Sequence, residues 1–444
     1  MKIAYISAGA GGMICGNCLH DNALASALLQ LGQDVILVPI YTPLRTDEVN
    51  VSLNRVFFGG INVFLQQKSS FFRHTPWFLD RILDSPALIR SMMSRSVSVD
   101  AEDLGALAVS VLKAEDGNQR KEVLKLCAWL RNDVRPDIVH LSNILLSGFA
   151  REIKRELNVP VVSTLSGEEL FLKNLKEPHT SQAENLLKDR TQDLDALVSL
   201  SHFYAHHMED LLGIPDEKVV VIEHGINLDG HHINRSESTK ETHRIGYLAR
   251  ISPEKGLHLL LEALKILSKQ ADLPRVEVRV AGYLGKSDQP YMDEIQQHAD
   301  EAGLGDHFVY EGELTLEEKI RFYQSLDSFC LPTVFPSSKG LSVIEAWANG
   351  IPAVVPDHGS FSEMIADTGG GLLFEPHNAE SLASKLRELI LDPDSARSLG
   401  EKGHEAVHDR YTAAEMGKRT LQLYESLLDQ QQAARTESKL PTSS

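Results

Sequence analysis

Short apolar runs rich in Val and Ile alternate with stretches of helical apolar spacing through most of this chain. A parallel sheet covered by helices on both faces demands that alternation, since its strands are buried on both sides and each crossover presents one apolar stripe. The first half predicts strands near Lys2 to Ala8, Asp34 to Ile40, Asp137 to Ser142, Val159 to Leu165, Ala196 to Leu200 and Lys218 to Ile222. The first crossover helix shows its apolar face through Leu19, Ala23, Ala27, Leu28 and Leu31, with Gly32 as its left-handed stop. The second half repeats the pattern near His243 to Leu248, Val276 to Gly282, His307 to Glu311, Asp327 to Leu331, Pro352 to Pro356 and Gly371 to Phe374. Between the halves, Asn227 to Thr242 is polar and without periodicity. The expected organisation is therefore a first domain over 1–226, a linker over 227–242 and a second domain over 243–410. A closing helix over 411–429 is expected to pack back on the first domain, and 430–444 to be a disordered tail. The fold class is α/β, two Rossmann-like doubly wound domains facing across a crevice, where ligands bind beyond the carboxyl ends of the strands.

Composition narrows the function. The 444 residues carry 44 Lys and Arg against 62 Asp and Glu, a net charge of −18, which disfavours a nonspecific nucleic-acid binder. No apolar run reaches the roughly 18 residues of a spanning helix. Gly9, Gly11 and Gly12 interrupt any signal-peptide core after Ile3 to Ala8, so the segment reads as a first strand and the protein as cytoplasmic. Four cysteines in so long a chain suit a reducing compartment and no disulfide framework.

Several segments carry candidate chemistry. Gly9 to Gly12 follows a strand and precedes a helix, so backbone amides there suit a phosphate or carboxylate, or simply form a tight turn. Ile14 stands where a dinucleotide fingerprint needs its third Gly, and Pro39 and Ile40 replace its acidic residue, which disfavours a nicotinamide dehydrogenase. Gly282 to Ser287 looks like part of a P-loop, but Val280 occupies the position of the motif's first Gly. Cys15 and Cys18 read as a redox pair, as half of a metal site with His20, or as thiols incidental to the turn; a second Cys pair for zinc is lacking. Arg250 and Lys255 follow a strand and precede a helix opened by Gly256, an arrangement suited to a diphosphate or otherwise a solvated basic pair beside Glu254. In Pro336 to Ala346, Gly340 and Leu341 bring backbone close to a ligand. Glu345 there either accepts two ribose hydroxyls or complements a helix dipole. Lys68 to Phe78 reads as a lid that stacks a sugar ring, a surface that touches lipid, or a helix packed on the core. His140 and Asn143, at a strand's carboxyl end, are crevice-lining or turn residues.

Taken together, these segments resemble the retaining nucleotide-sugar glycosyltransferases of family four, which have the two-domain GT-B arrangement. The resemblance covers nearly the whole chain and is strongest in Val221 to Asn227, Tyr247 to Gly256, Val278 to Gly282, Phe308 to Gly312, Leu331-Pro332, and Glu345-Ala346 with Gly350 to Pro352. Gly11-Gly12, Leu28 to Val35 and Asp137 to His140 also look like family positions. The likeness implies a hexosyltransferase-like enzyme that moves a sugar from a nucleotide diphosphate donor to a glycan or small-molecule acceptor with retained configuration. It implies neither metal nor cofactor. Donor contacts would come from Gly11, Gly12, Arg250, Lys255, Gly282, Ser337, Gly340, Leu341, Ser342 and Glu345. Acceptor-side contacts would come from His140 and Asn143.

Two departures stand out. Ser337 replaces the first Glu of the family's E-x7-E segment, and Ser166 replaces a His near the reacting sugar, with Glu168 as substitute or as a surface carboxylate. They motivate a catalytically weak nucleotide-sugar binding protein as an alternative; a nucleotide-sugar epimerase on the same architecture is another.

Overall fold

A computed structural model describes residues 1–9, 15–54, 56–58, 60–73, 101–233 and 241–437. The chain divides into two compact units, one of residues 1–223 together with the segment from Ala413 onward, the other of residues 224–412. Gly11 and Gly12, His74 to Phe78, residues 234–240 of the expected linker and residues 438–444 lie outside the described residues.

The first unit holds β1 (Lys2–Ser7), β2 (Asp34–Pro39), β3 (Ile138–Leu141), β4 (Val161–Leu165), β5 (Ala196–Ser199) and β6 (Val219–Val221), in the order β2-β1-β3-β4-β5-β6. The second holds β7 (Thr242–Leu248), β8 (Arg275–Ala281), β9 (Phe308–Tyr310), β10 (Ser328–Cys330), β11 (Ala353–Pro356) and β12 (Gly371–Phe374), in the order β12-β11-β10-β7-β8-β9. Every pairing is parallel. Each strand falls within a predicted one or overlaps it to a residue at its ends. The central strands are buried along their length, as continuous apolar runs between two helical layers must be. The strand order reverses between β1 and β3 and again between β7 and β10. At such a reversal the two following loops leave toward opposite faces and part at the carboxyl edge.

The helix Gly16–Gln30 is anchored to β1 by buried Asp21, which accepts hydrogen bonds from Tyr5 Oη (2.9 Å) and Ser7 Oγ (2.5 Å). The closing helix runs from Ala413 to Glu437, well past the expected start of a tail at 430. Gln431 Nε2 (3.0 Å) and Arg435 Nη2 (2.6 Å) donate to the carbonyl of Asn158, and that contact carries the helix through its polar end. Met416, Tyr424 and Leu427 pack with Ala23, Leu24 and Leu28 of the first helix.

His140, expected as a crevice-lining or turn residue, stands at the carboxyl end of β3. It is fully buried inside the first unit, with Nδ1 2.5 Å from Tyr424 Oη and Nε2 2.8 Å from Thr164 Oγ1. Both ring nitrogens are thus engaged, one with the closing helix through Tyr424 and the other with β4 through Thr164. Burial, helped by nearby His20, pushes its pKa down to about 3. Asn143 takes the turn role, accepting from Leu145 N (3.1 Å) as the cap of the turn Ile144–Phe149.

His140 makes stability pH-dependent. Its folded pKa is depressed, so below about 6.5 the unfolded chain binds a proton that the folded chain refuses. Urea unfolding should show the first unit losing about 2 kcal/mol from this one group between about pH 7 and pH 5. Tyr424→Phe, which leaves the buried ring nitrogen without its hydroxyl, should cost about 1–3 kcal/mol at neutral pH.

Candidate functional site

In the second unit, the loops after β7 and β10 meet at the reversal of strand order. Val334 N donates to the carbonyl of Glu254 (3.0 Å), tying the two loops together. Gly256, at φ +74°, sits so close to the β10 loop that a Cβ there would lie 1.7 Å from the carbonyl oxygen of Pro332. Only glycine meets both conditions. The loop after β8 joins on the other side: Ile251 N donates to Tyr283 O (2.9 Å), and a Cβ on Gly282 would lie 1.8 Å from the carbonyl oxygen of Ala249. Gly282 therefore serves close packing of two loops.

This junction places Lys255 with its Nζ 4.9 Å from the ring centroid of Phe335. Desolvation, then the neighbouring charges of Lys339 and Arg250, push its pKa down to about 8, against the opposing pull of Glu254. Three cations thus share the end of β7 and β10. Arg250, partly exposed, pairs with Glu254. Two helices begin at this edge, Leu257–Leu267 behind Gly256 and Leu341–Ala348 behind Gly340. Their opening amides add partial positive charge.

Ser337 is buried in a tight turn, its Oγ donating to the carbonyl of Lys339 (2.6 Å). Its own carbonyl accepts from Ser360 N (2.8 Å), which fixes the turn to the loop after β11. The side chain at this position thus shapes backbone. Leu341 and Ser342 open the helix, and one turn on lies buried Glu345. Its Oε1 is 2.5 Å from Lys319 Nζ, and its Oε2 accepts from Tyr323 Oη at 2.9 Å. Tyr323 Oη also lies 3.1 Å from the carbonyl of Ser342. Each carboxylate oxygen keeps one further acceptor site, enough for two hydroxyls. Lys319, Tyr323, Phe335 and Lys339 escape sequence reasoning. Lys319 and Glu345 are 26 residues apart on separate helices, with no local signal of their pairing.

In the first unit, Ser166 and Glu168 do come together. Glu168 accepts from Ser166 N (2.8 Å) and Ser166 Oγ (2.9 Å), and it is buried, not a surface carboxylate. Tyr204 Oη lies 3.0 Å from the amides of Gly167 and Glu168 and also bonds Glu168 and Glu169. Asn17 Nδ2 reaches Ser166 Oγ at 3.2 Å from the first helix. Among Lys68 to Arg73, Lys68 lies over the Phe64 ring and Arg73 donates to the carbonyls of Gln66 and Gln67, so these cations close helix ends. No group of three or more His, Cys, Asp or Glu able to hold a metal occurs among the described residues. No helix among them is long and apolar enough to cross a membrane.

Removing one partner of the Lys319–Glu345 pair should cost more than removing both. Lys319→Met should destabilise the second unit by about 3–5 kcal/mol. The double variant Lys319→Met/Glu345→Leu should recover much of that loss, as read by denaturant unfolding.

Comparison with known proteins adds a family likeness to this geometry. The family described as "Glycosyl transferases group 1" matches residues 231–406, and "Glycosyltransferase Family 4" matches residues 112–229. Among curated proteins, the amylovoran biosynthesis glycosyltransferase AmsK of Erwinia amylovora is 26% identical over 249 residues, 55% of this chain and 58% of that one. The D-inositol 3-phosphate glycosyltransferase of Mycolicibacterium smegmatis is 24% identical over 204 residues, 44% of this chain and 45% of that one. The chain thus spans about half the length of these curated relatives. Among solved structures, sucrose-phosphate synthase from Thermosynechococcus elongatus superposes with a TM-score of 0.71 at 16% identity, covering 97% of this chain and all of that one. Anabaena HepE in complex with UDP-glucose gives 0.67 at 14% identity, covering 96% of this chain and all of the other. At those identities the structures show a shared fold.

Proposed function

We propose that this chain is a glycosyltransferase of the family-four kind, with the α/β domains of the GT-B fold, and that it transfers a sugar from a nucleoside diphosphate sugar to an acceptor hydroxyl with retention of configuration. The observation that carries this reading is the desolvated Lys255, gathered with Arg250 and Lys339 where the strand order reverses in the second unit. Three cations and two helix N-termini suit the two phosphates of a nucleoside diphosphate better than a single carboxylate. HepE, solved with UDP-glucose, supports a donor of this class.

We assign donor binding to the second unit. Arg250 and Lys255 hold the diphosphate, the opening amides after Gly340 approach it with Leu341 and Ser342, and Glu345 takes the ribose hydroxyls through the acceptor sites that Lys319 and Tyr323 leave to it. Gly282 and Ser337 set the loops that shape the pocket. Acceptor binding falls to the first unit, where Ser166 and Glu168 present polar groups on a loop stiffened by Tyr204.

In the transfer, the bond from the anomeric carbon to the diphosphate oxygen breaks as a bond to the acceptor oxygen forms on the same face. The acceptor's proton passes to a phosphate oxygen. Charge therefore develops on the diphosphate, and fixed cations stabilise it without a metal ion. The protein's remaining contribution is to position the two substrates.

Release of nucleoside diphosphate from a panel of donor sugars and acceptors tests the assignment. Arg250→Ala should lower turnover roughly a hundred- to thousand-fold, and unchanged turnover would contradict the role given to Arg250. The pH dependence of donor affinity tests Lys255 separately. Above about 8 the ammonium loses its proton and with it the attraction for phosphate, so affinity should fall as pH rises through that value. Lys255→Arg, which stays charged, should flatten that fall; an unaltered profile would remove Lys255 from the diphosphate site.

A further inference from the structure

Cys15 and Cys18 have no part in the transfer chemistry, yet the fold brings their sulfurs to 3.4 Å of each other. Cys15 is the N-cap of the helix Gly16–Gln30, and Cys18 is the third residue of that helix. The amide of Cys18 points at Cys15 Sγ (3.5 Å), so a backbone donor and a helix N-terminus both favour an anionic sulfur at Cys15. Cys15 is partly exposed while Cys18 is buried behind it. Cys127 and Cys330 are each buried in apolar clusters, one in each unit.

We propose that Cys15 and Cys18 form a redox-active dithiol, a site of reversible modification in which Cys15 is the attacking sulfur and Cys18 the resolving one. With a peroxide as oxidant, the Cys15 thiolate takes one oxygen, the O–O bond breaks, and Cys15 becomes a sulfenic acid with release of hydroxide. The Cys18 thiol then displaces that oxygen as water, and the two sulfurs join. The pair loses two electrons and the peroxide gains them. A small dithiol reverses the step: one of its thiols attacks the more exposed Cys15 sulfur and releases Cys18 as a thiol, and its second thiol then displaces Cys15, leaving a cyclic disulfide. Closing the contact from 3.4 Å to a covalent bond requires the first helical turn to tighten, and Asn17, which donates to Ser166, lies in that turn. Oxidation is thus wired to the Ser166–Glu168 loop.

The test uses the whole purified chain treated with hydrogen peroxide, then denatured and alkylated. The four alkylated thiols should fall to two, the monomer mass read before alkylation should drop by about 2 Da, and digestion should recover one peptide linked through Cys15 and Cys18. Dithiothreitol should restore all four. In Cys18→Ser, peroxide should leave a sulfenic acid on Cys15 that dimedone traps, whereas Cys15→Ser should trap none at Cys18. Four thiols surviving peroxide, a linkage between chains, or no dimedone adduct in Cys18→Ser would each overturn the proposal.

Discussion

An all-parallel sheet places the carboxyl ends of all its strands on one edge, and where its strand order reverses, adjacent loops must part there. The rest of the structure follows from that constraint. In the second unit the reversal lies between β7 and β10, and the loops that leave those strands carry Arg250, Lys255, Phe335 and Lys339. Close packing joins the loops again beneath the site through Gly256 against Pro332 and Gly282 against Ala249. Rigid glycine junctions below and charged side chains above are what a preorganised anion site needs, because the cost of desolvating the cations is met in folding.

Electrostatics in the second unit divide into two kinds. Lys255, Arg250 and Lys339 repel one another, and that repulsion favours an anion between them. Lys319 and Glu345 are the opposite case, a buried pair with both charges compensated. Such a pair adds little net stability over an apolar core, but it fixes where its carboxylate stands. Glu345 has its orientation set by two partners from a neighbouring helix. Placement of this kind matters when an acid must meet two hydroxyls at once.

The strands were legible because burial on both faces forces continuous apolar runs such as Val161–Leu165 and Ala353–Pro356. Arg250 and Lys255 were singled out for a related reason, since polar residues just past a strand's carboxyl end break the apolar pattern. His140 breaks it in the same way and has another role. Its partner Tyr424 is 284 residues away on the closing helix, and no local spacing signals that contact. The length of that helix was hidden too, because its polar last turns are held by the carbonyl of Asn158. Ser337, a donor contact only by the family resemblance, has a hydroxyl that closes a turn, which no sequence pattern announced. A short polar side chain in a tight loop satisfies backbone more readily than it reaches a substrate.

The central claim is that the carboxyl edge of the second sheet binds a nucleoside diphosphate through Lys255 and its neighbouring cations. Calorimetric titration of the intact chain with nucleoside diphosphates and their sugars, without added metal, tests it most directly when repeated on Lys255→Met. The account predicts binding by at least one nucleotide, weakened about tenfold or more by the substitution, since one charge-assisted contact is lost. Absence of binding across the panel, or equal affinity in the variant, would contradict it.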